Sequence, residues 1–376
     1  VCSIFRQVDP RPIRTNLSAD HLWNNRNPLA SRYSPVIVGP GGAARVLGST
    51  SIMQARLLAL KSAVPPYVLE QSDVVIRAGR LFGERRDVER LMPIFGNTGI
   101  DRRYSCVPID WYNEDHGWQD RTQLYVSNAV DLLEKVARGL IEEAKLTTDD
   151  IDAIVVSSTT GIATPSLDAL VIERMQLRRD IRRLPIFGLG CAGGVTGLSR
   201  AADLAKSRPG SRVLFLVVEL CALTFRKNDL TKSNFVATAL FGDGAAGAIL
   251  STDADGPAFG AGSEYTWPDS LGIMGWDVEE DGLKAIFSQS IPTLVANDFT
   301  TILTAFMQKN DLKLTDIDKF ACHPGGAKVL DALEDAFQID RGALTESRSV
   351  LRDFGNMSAV TALFVLERMD WRKKDQ

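Results

Sequence analysis

The sequence predicts an α/β protein made of two duplicated halves, on three observations. Segments of helical and strand period alternate along most of the chain, as they do where strands feed helices. A nine-residue pattern occurs twice, as Gly190-Cys191-Ala192-Gly193-Gly194-Val195-Thr196-Gly197-Leu198 and as Gly355-Asn356-Met357-Ser358-Ala359-Val360-Thr361-Ala362-Leu363, each copy opening an apolar helix. A second echo, Lys145-Leu146-Thr147 to Ile151-Asp152, returns as Lys313-Leu314-Thr315 to Ile317-Asp318 at the same interval to within one residue. Two echoes at one interval are the trace of a duplicated domain. The reading divides the chain into an N-terminal extension over 1–50, a first half over 51–251 and a second half over 252–376.

The extension is rich in Pro, Asn, Arg and Gly, as in Asp9-Pro10-Arg11-Pro12 and Gly39-Pro40-Gly41-Gly42, and is expected to wrap or leave the core. From Ser127 to Ala144 the apolar residues Val130, Leu132, Leu133, Val136, Leu140 and Ile141 recur at helical spacing. Ile154-Val155-Val156 then reads as a buried strand, Leu184 to Phe187 as another, and Cys191 to Lys206 as a helix. The unbroken apolar run Val213 to Val218 fits a strand covered on both faces. After the turn Phe241-Gly242-Asp243-Gly244 comes a strand over Ala245–Leu250. The second half is expected to repeat the plan, with a helix from Pro292 to Lys309, a strand from Lys319 to Cys322, and helices over Gly326–Phe337 and Met357–Met369.

Composition excludes several classes. With 376 residues, 45% hydrophobic and 24% charged, and a net charge of −4, the chain can bury two ordinary cores and has no global pull toward nucleic acid or anionic membrane. Five cysteines, Cys2, Cys106, Cys191, Cys221 and Cys322, form no close-spaced framework, so a reducing cytoplasm with free thiols is expected. No apolar run approaches the roughly 20 residues of a membrane-spanning helix.

The repeat carries the chemistry. A cysteine between glycines at a helix start lies where unpaired N–H groups and the dipole favour a thiolate, which makes Cys191 a candidate nucleophile. Taken alone, Cys191 fits a packing role equally well. Of the three histidines, His21 falls in the extension and His116 in the polar stretch Asn113-Glu114-Asp115. His323 follows the strand Phe320-Ala321-Cys322, at the kind of strand end where open α/β sheets place their ligands. Asn356 is either a helix cap or, with His323, a donor into a cavity beside Cys191. A thiol with two N–H donors that hold a developing enolate suits Claisen chemistry.

Gly190-Cys191-Ala192-Gly193-Gly194, Leu240-Phe241-Gly242-Asp243-Gly244, His323-Pro324-Gly325-Gly326 and Gly355-Asn356-Met357-Ser358 together resemble the type III polyketide synthases, the chalcone synthase-like branch of the thiolase superfamily. The resemblance runs from about Ala63 to Met369. It implies a thiolase-like five-layered αβαβα fold, a homodimer, and iterative condensation of malonyl-CoA onto an acyl-CoA starter without metal or other cofactor. It also implies that Cys191 accepts the acyl group while His323 and Asn356 support decarboxylation. Phe241 matches the aromatic beside the cysteine. Cys221 and Thr224 fall where family members shape the cavity, Ala285 replaces a gatekeeping phenylalanine, and Trp276, like Cys221, has a bacterial look. Thr164, ahead of Pro165, falls near where partner subunits meet and is grouped with the substrate-facing positions. Arg90, Arg102, Arg103 and Lys328 are the candidate CoA contacts. A small residue at 285 suggests an unblocked wall, hence a long fatty acyl starter and an alkylpyrone or alkylresorcinol product. The family continues past the position of Gln376 into a final strand pair, so the chain reads as shortened there. A ketoacyl synthase III using a carrier protein, or a catalytically silent binding protein of the same fold, are the alternatives.

Overall fold

A computed structural model describes residues 2–5, 53–83, 88–288 and 291–372. The expected extension, and with it His21, otherwise lies outside the described residues. In chain order the first elements are β1 (Cys2–Phe5), β2 (Arg56–Ala63), β3 (Tyr67–Glu70), α1 (Gln71–Leu81), two single turns α2 (Val88–Leu91) and α3 (Pro93–Gly96), and β4 (Arg102–Ser105). There follow α4 (Trp118–Glu143), β5 (Ala153–Ser158), α5 (Leu167–Met175), β6 (Arg182–Phe187), α6 (Gly193–Ser207), β7 (Val213–Leu220), α7 (Lys232–Leu240) and β8 (Asp243–Ser251). The remainder is β9 (Met274–Glu279), β10 (Gly282–Phe287), α8 (Ile291–Leu294), α9 (Thr300–Lys309), β11 (Lys319–Cys322), α10 (Ala327–Phe337), α11 (Thr345–Phe354) and α12 (Thr361–Arg368).

The first half is a five-stranded sheet in the order β2-β8-β7-β5-β6. The pairs β5–β6 and β5–β7 are parallel, and β7–β8 and β2–β8 antiparallel. β7 is buried along its whole length because each face has its own cover. Leu214, Leu216, Val218 and Leu220 join the core under α4, whereas Val213, Phe215 and Val217 join the core under α6 and α12. The two-residue period of a strand thus splits one apolar run between two layers. β11 does the same further out, Ala321 belonging to the α6–α12 core and Phe320 and Cys322 to the core beneath α10. Layers of α4–α5, sheet, α6–α12, β11 and α10 follow from these contacts. Among the described residues β11 pairs only with β1, antiparallel, so the second half does not repeat the full first sheet.

Most expected elements are present, with shifted starts. α4 begins at Trp118 rather than Ser127, because its first turns bury only Arg121 and Tyr125 and so show little apolar period. The helices expected from Cys191 and Met357 begin at Gly193 and Thr361, each after a 3-10 turn, Gly190–Ala192 and Ser358–Val360. The helix expected from Pro292 opens on α8 and passes through a π-helical turn, Val295–Phe299, into α9. No helix among the described residues is long and apolar enough to cross a membrane.

Candidate active site

The two copies of the sequence echo meet at the centre of the molecule. Gly193 and Gly194 permit this, since a Cβ on Gly194 would lie 2.0 Å from the Ala359 carbonyl oxygen and one on Gly193 2.7 Å from Ser157 Oγ. With no side chain in the way, the turn carrying Cys191 rests against the turn that follows Asn356. Ser358 joins them, its Oγ–H donating to Cys191 Sγ at 3.5 Å and its N–H to Asn356 Oδ1 at 2.9 Å. Asn356 is no helix cap. Its carboxamide closes a turn on its own chain through Oδ1, the local bonding short polar side chains favour, and donates through Nδ2 to the Gly325 carbonyl at 3.2 Å.

Gly325 brings in the third group. Its N–H donates to the His323 carbonyl at 3.1 Å, and a Cβ on it would lie 3.6 Å from His323 Nε2. Sulfur, carboxamide and imidazole are thereby linked through Ser358 and Gly325. Among the described residues no hydrogen bond joins His323 to Cys191, and both imidazole nitrogens are buried without a partner. Burial drives the His323 pKa down to about 3, so the ring is neutral at physiological pH, able to donate at one nitrogen and accept at the other.

The backbone of Asn356 is pinned to the Phe241 turn, its N–H donating to Leu240 O at 2.8 Å and its carbonyl accepting from Gly242 N at 3.1 Å. Gly355 sits at φ +70°, with Leu240 O only 2.8 Å from where a Cβ would be, so this approach requires glycine. On the other side Glu219, fully buried at the end of β7, accepts N–H bonds from Thr159 and Thr160, both at 3.1 Å. Thr159 Oγ1 in turn accepts the Gly190 N–H at 3.1 Å, which fixes the cysteine turn. Burial raises Glu219 to about 8.

The sequence leads one to expect an acidified thiol. The structure places Cys191 in the 3-10 turn ahead of α6, where burial raises its pKa above the usual thiol value and the Ser358 hydrogen bond offsets this in part. Desolvation is the largest influence on this half-buried residue, whose sulfur sits before the first α-helical turn.

Profiles of the chalcone and stilbene synthases match at residues 48–254 for the N-terminal domain and 261–376 for the C-terminal domain. The chain belongs to this family. It is 35% identical over 317 residues to 1,3,6,8-tetrahydroxynaphthalene synthase of Streptomyces peucetius subsp. caesius, covering 82% of this chain and 84% of that one. It is 26% identical over 324 residues to the alpha-pyrone synthesis polyketide synthase-like Pks18 of Mycobacterium tuberculosis (strain ATCC 25618 / H37Rv), covering 82% of each. The crystal structure of 1,3,6,8-tetrahydroxynaphthalene synthase from Streptomyces coelicolor A3(2), a bacterial type III polyketide synthase, superposes with a TM-score of 0.80 at 27% identity over 84% of this chain and 90% of that one. The protein is therefore a type III polyketide synthase of the bacterial kind, an acyltransferase-type condensing enzyme of thiolase-like fold that condenses malonyl-CoA.

The synthase has an apolar cleft among its described residues, with about 60 Å³ of open space. Cys221, Thr224, Phe241 and Arg103 line it together with Val74, Ala78 and Leu81 of α1, Ile109 and Phe225, while Cys191, His323 and Asn356 are not among its lining residues. Cys221 is the link to the nucleophile candidate. Its thiol is pushed well above the usual range by burial and then by the charges of Glu219, Asp243 and Cys191, which places it in their field. The pocket positions Cys221, Thr224 and Phe241 thus share one cavity. Ala285, Trp276 and Thr164 do not line it.

Ala285 stands on β10. It pairs with Trp276 across the β9–β10 hairpin, so both side chains lie on one face of that ribbon. The indole meets Phe241 edge-on at 6.0 Å, and Phe287 lies 5.9 Å from the same ring. Space given up at 285 is taken on the neighbouring strand, and the open cleft lies instead toward α1. Thr164 is exposed between β5 and α5.

Of the expected CoA contacts, Arg90, Arg102 and Lys328 are exposed, Lys328 in the first turn of α10. Arg103 is not a surface cation. It follows Arg102 on β4 and so faces the other way, fully buried, with Nη2 donating to Gln71 Oε1 at 2.8 Å and Nη1 to Phe241 O at 3.3 Å. Sequence reasoning missed Ser358, Gly325 and Glu219 as parts of the site. Only Glu219, a lone carboxylate closing an eight-residue apolar strand, carried a signal that could have exposed it.

Proposed function

We propose that Cys191 accepts a fatty acyl starter from CoA, and that its tail runs past Cys221 into the apolar cleft toward α1. In this reading the Cys191 thiol passes its proton to neutral His323 and attacks the starter thioester, and the proton leaves with the CoA thiol. Malonyl-CoA then enters and loses carbon dioxide, and N–H groups of His323 and Asn356 hold the resulting enolate. The enolate carbon attacks the Cys191 thioester and the sulfur departs. Repetition of this cycle gives a poly-β-ketone thioester that closes to an alkylpyrone or alkylresorcinol. CoA is held from outside by Arg90, Arg102 and Lys328.

The position of Cys221 carries this reading, since it lines the cleft and lies close enough to Cys191 for one thiol to feel the charge of the other. The name of the Mycobacterium tuberculosis relative, which refers to alpha-pyrone synthesis, agrees with it. Ligand pockets commonly enclose ~300–1,000 Å³, far above the present opening, so a long tail enters only as lining side chains turn aside. The test is incubation of the enzyme with malonyl-CoA and saturated acyl-CoAs of graded length, with products weighed by mass spectrometry. Turnover of medium and long chains supports the proposal, and turnover confined to short or aromatic starters rejects it.

The functional unit in this reading is a homodimer. β6 is an edge strand, and Phe187 at its end is 61% exposed, close in sequence to the exposed Leu189 and in register with Ser158 of β5, which leads into exposed Ile162. Such an apolar edge fits a second copy. Phe187→Asp is expected to shift the mass measured by light scattering from two chains to one, and an unchanged mass removes β6 from the interface.

A further inference from the structure

Arg103 is the one fully buried cation lining the cleft, and it has no carboxylate partner. Gln71 and the Phe241 carbonyl take its two Nη groups, and Gln71 is itself tied by Nε2 to Phe95 O, Thr98 Oγ1 and Ala239 O. Asp243 is close enough to act on the charge, but its oxygens accept from the Cys106 and Ala222 N–H groups and not from the arginine. Arg103 Nε is left buried with no hydrogen-bond partner. A buried guanidinium N–H without a partner, on a residue that lines an apolar cleft, is costly unless an oxygen arrives to meet it.

Chain growth supplies such an oxygen. A saturated starter on Cys191 has one carbonyl, at the sulfur, and only methylenes beyond it. Each extension inserts a new acetyl unit at the sulfur, so in that reading the older carbonyl moves one ketide unit toward the cleft that Cys221, Phe241 and Arg103 line together.

Resting on the proposed function above, we infer that Arg103 is a specificity-determining residue whose Nε–H holds a ketone oxygen of the growing β-ketoacyl chain, so that the cleft prefers extended intermediates over saturated starters. Nη1 and Nη2 orient the guanidinium through groups that do not depend on substrate, which leaves Nε as the reading edge.

The test measures affinity without turnover, on the full chain carrying Cys191→Ala, with 3-oxoacyl-CoA and saturated acyl-CoA of equal length. A hydrogen bond to a charged donor in a dry site predicts about tenfold tighter binding of the 3-oxo compound. Adding Arg103→Gln is expected to bring the ratio to about one. A ratio of one before that change, as expected if Nε stays buried out of the ligand's reach, overturns the inference, and this reading needs no Arg103 variant to fold. Parallel loss of both affinities with an unchanged ratio assigns Arg103 a purely structural role and overturns it as well. Failure of both thioesters to bind the Cys191→Ala chain removes the proposed function itself.

Discussion

The nucleophile candidate is stored as a thiol. Its pKa is raised by burial, so less thiolate is present at neutral pH than for a free cysteine, and the thiolate fraction grows through and beyond the ordinary thiol range. Alkylation of Cys191 by iodoacetamide, followed by peptide mass analysis, is expected to accelerate steadily up to pH 9, and a plateau reached below pH 7 would contradict this. Neutral His323 bears on the other step. Replacing it by Ala removes one enolate donor and is expected to slow malonyl-CoA decarboxylation by ~10²–10³, while an unchanged rate dismisses it from the role. Glu219 predicts a stability effect. Its folded pKa of about 8 lies above the roughly 4.3 of an unfolded glutamate. The fold therefore favours the protonated form, and stability falls as pH rises through that interval. Thermal melts should show the wild-type midpoint dropping between pH 5 and pH 8, with a smaller drop in Glu219→Gln; parallel curves would refute the assignment.

Elements meet at this site only because particular side chains are missing. Gly194 on α6 lets the Ala359 carbonyl within 2.0 Å of the position a Cβ would take, and that atom is backbone, which cannot rotate away. Gly194→Ala is expected to cost at least ~3 kcal/mol and to lower the melting temperature by several degrees, with Cys191 acylation lost in whatever remains folded. The same change at Gly96, where nothing lies within 4 Å, should be nearly silent and serves as the control. The echoed sequence showed that glycines cluster at these helix starts; it could not show that they face each other. Nor could it show that Arg102 and Arg103 part company, one to solvent and one to the core, since a short strand of mixed polarity gives no face assignment.

At the scale of the molecule the cleft sets the chemistry. It runs between β3, α1, β4, the Ile109 turn, the Cys221 turn and α7, segments scattered from residue 69 to residue 241, so no local pattern announces it. Ala78 lines it with 1% exposure. Ala78→Phe is expected to shift the preferred starter to shorter acyl-CoAs by several carbons, measured by competition between two chain lengths, whereas an unaltered preference would move the tail elsewhere.

The sequence alone determined the α/β class, the family, and the association of Cys191, His323 and Asn356, because periodicity and repeated motifs are local and survive as spelling. Tertiary structure alone decided that the small Ala285 is answered by Trp276, that Arg103 turns inward, and that the thiol is held above its usual pKa. Those are properties of distance and desolvation between segments remote in the chain, and a one-dimensional pattern contains neither.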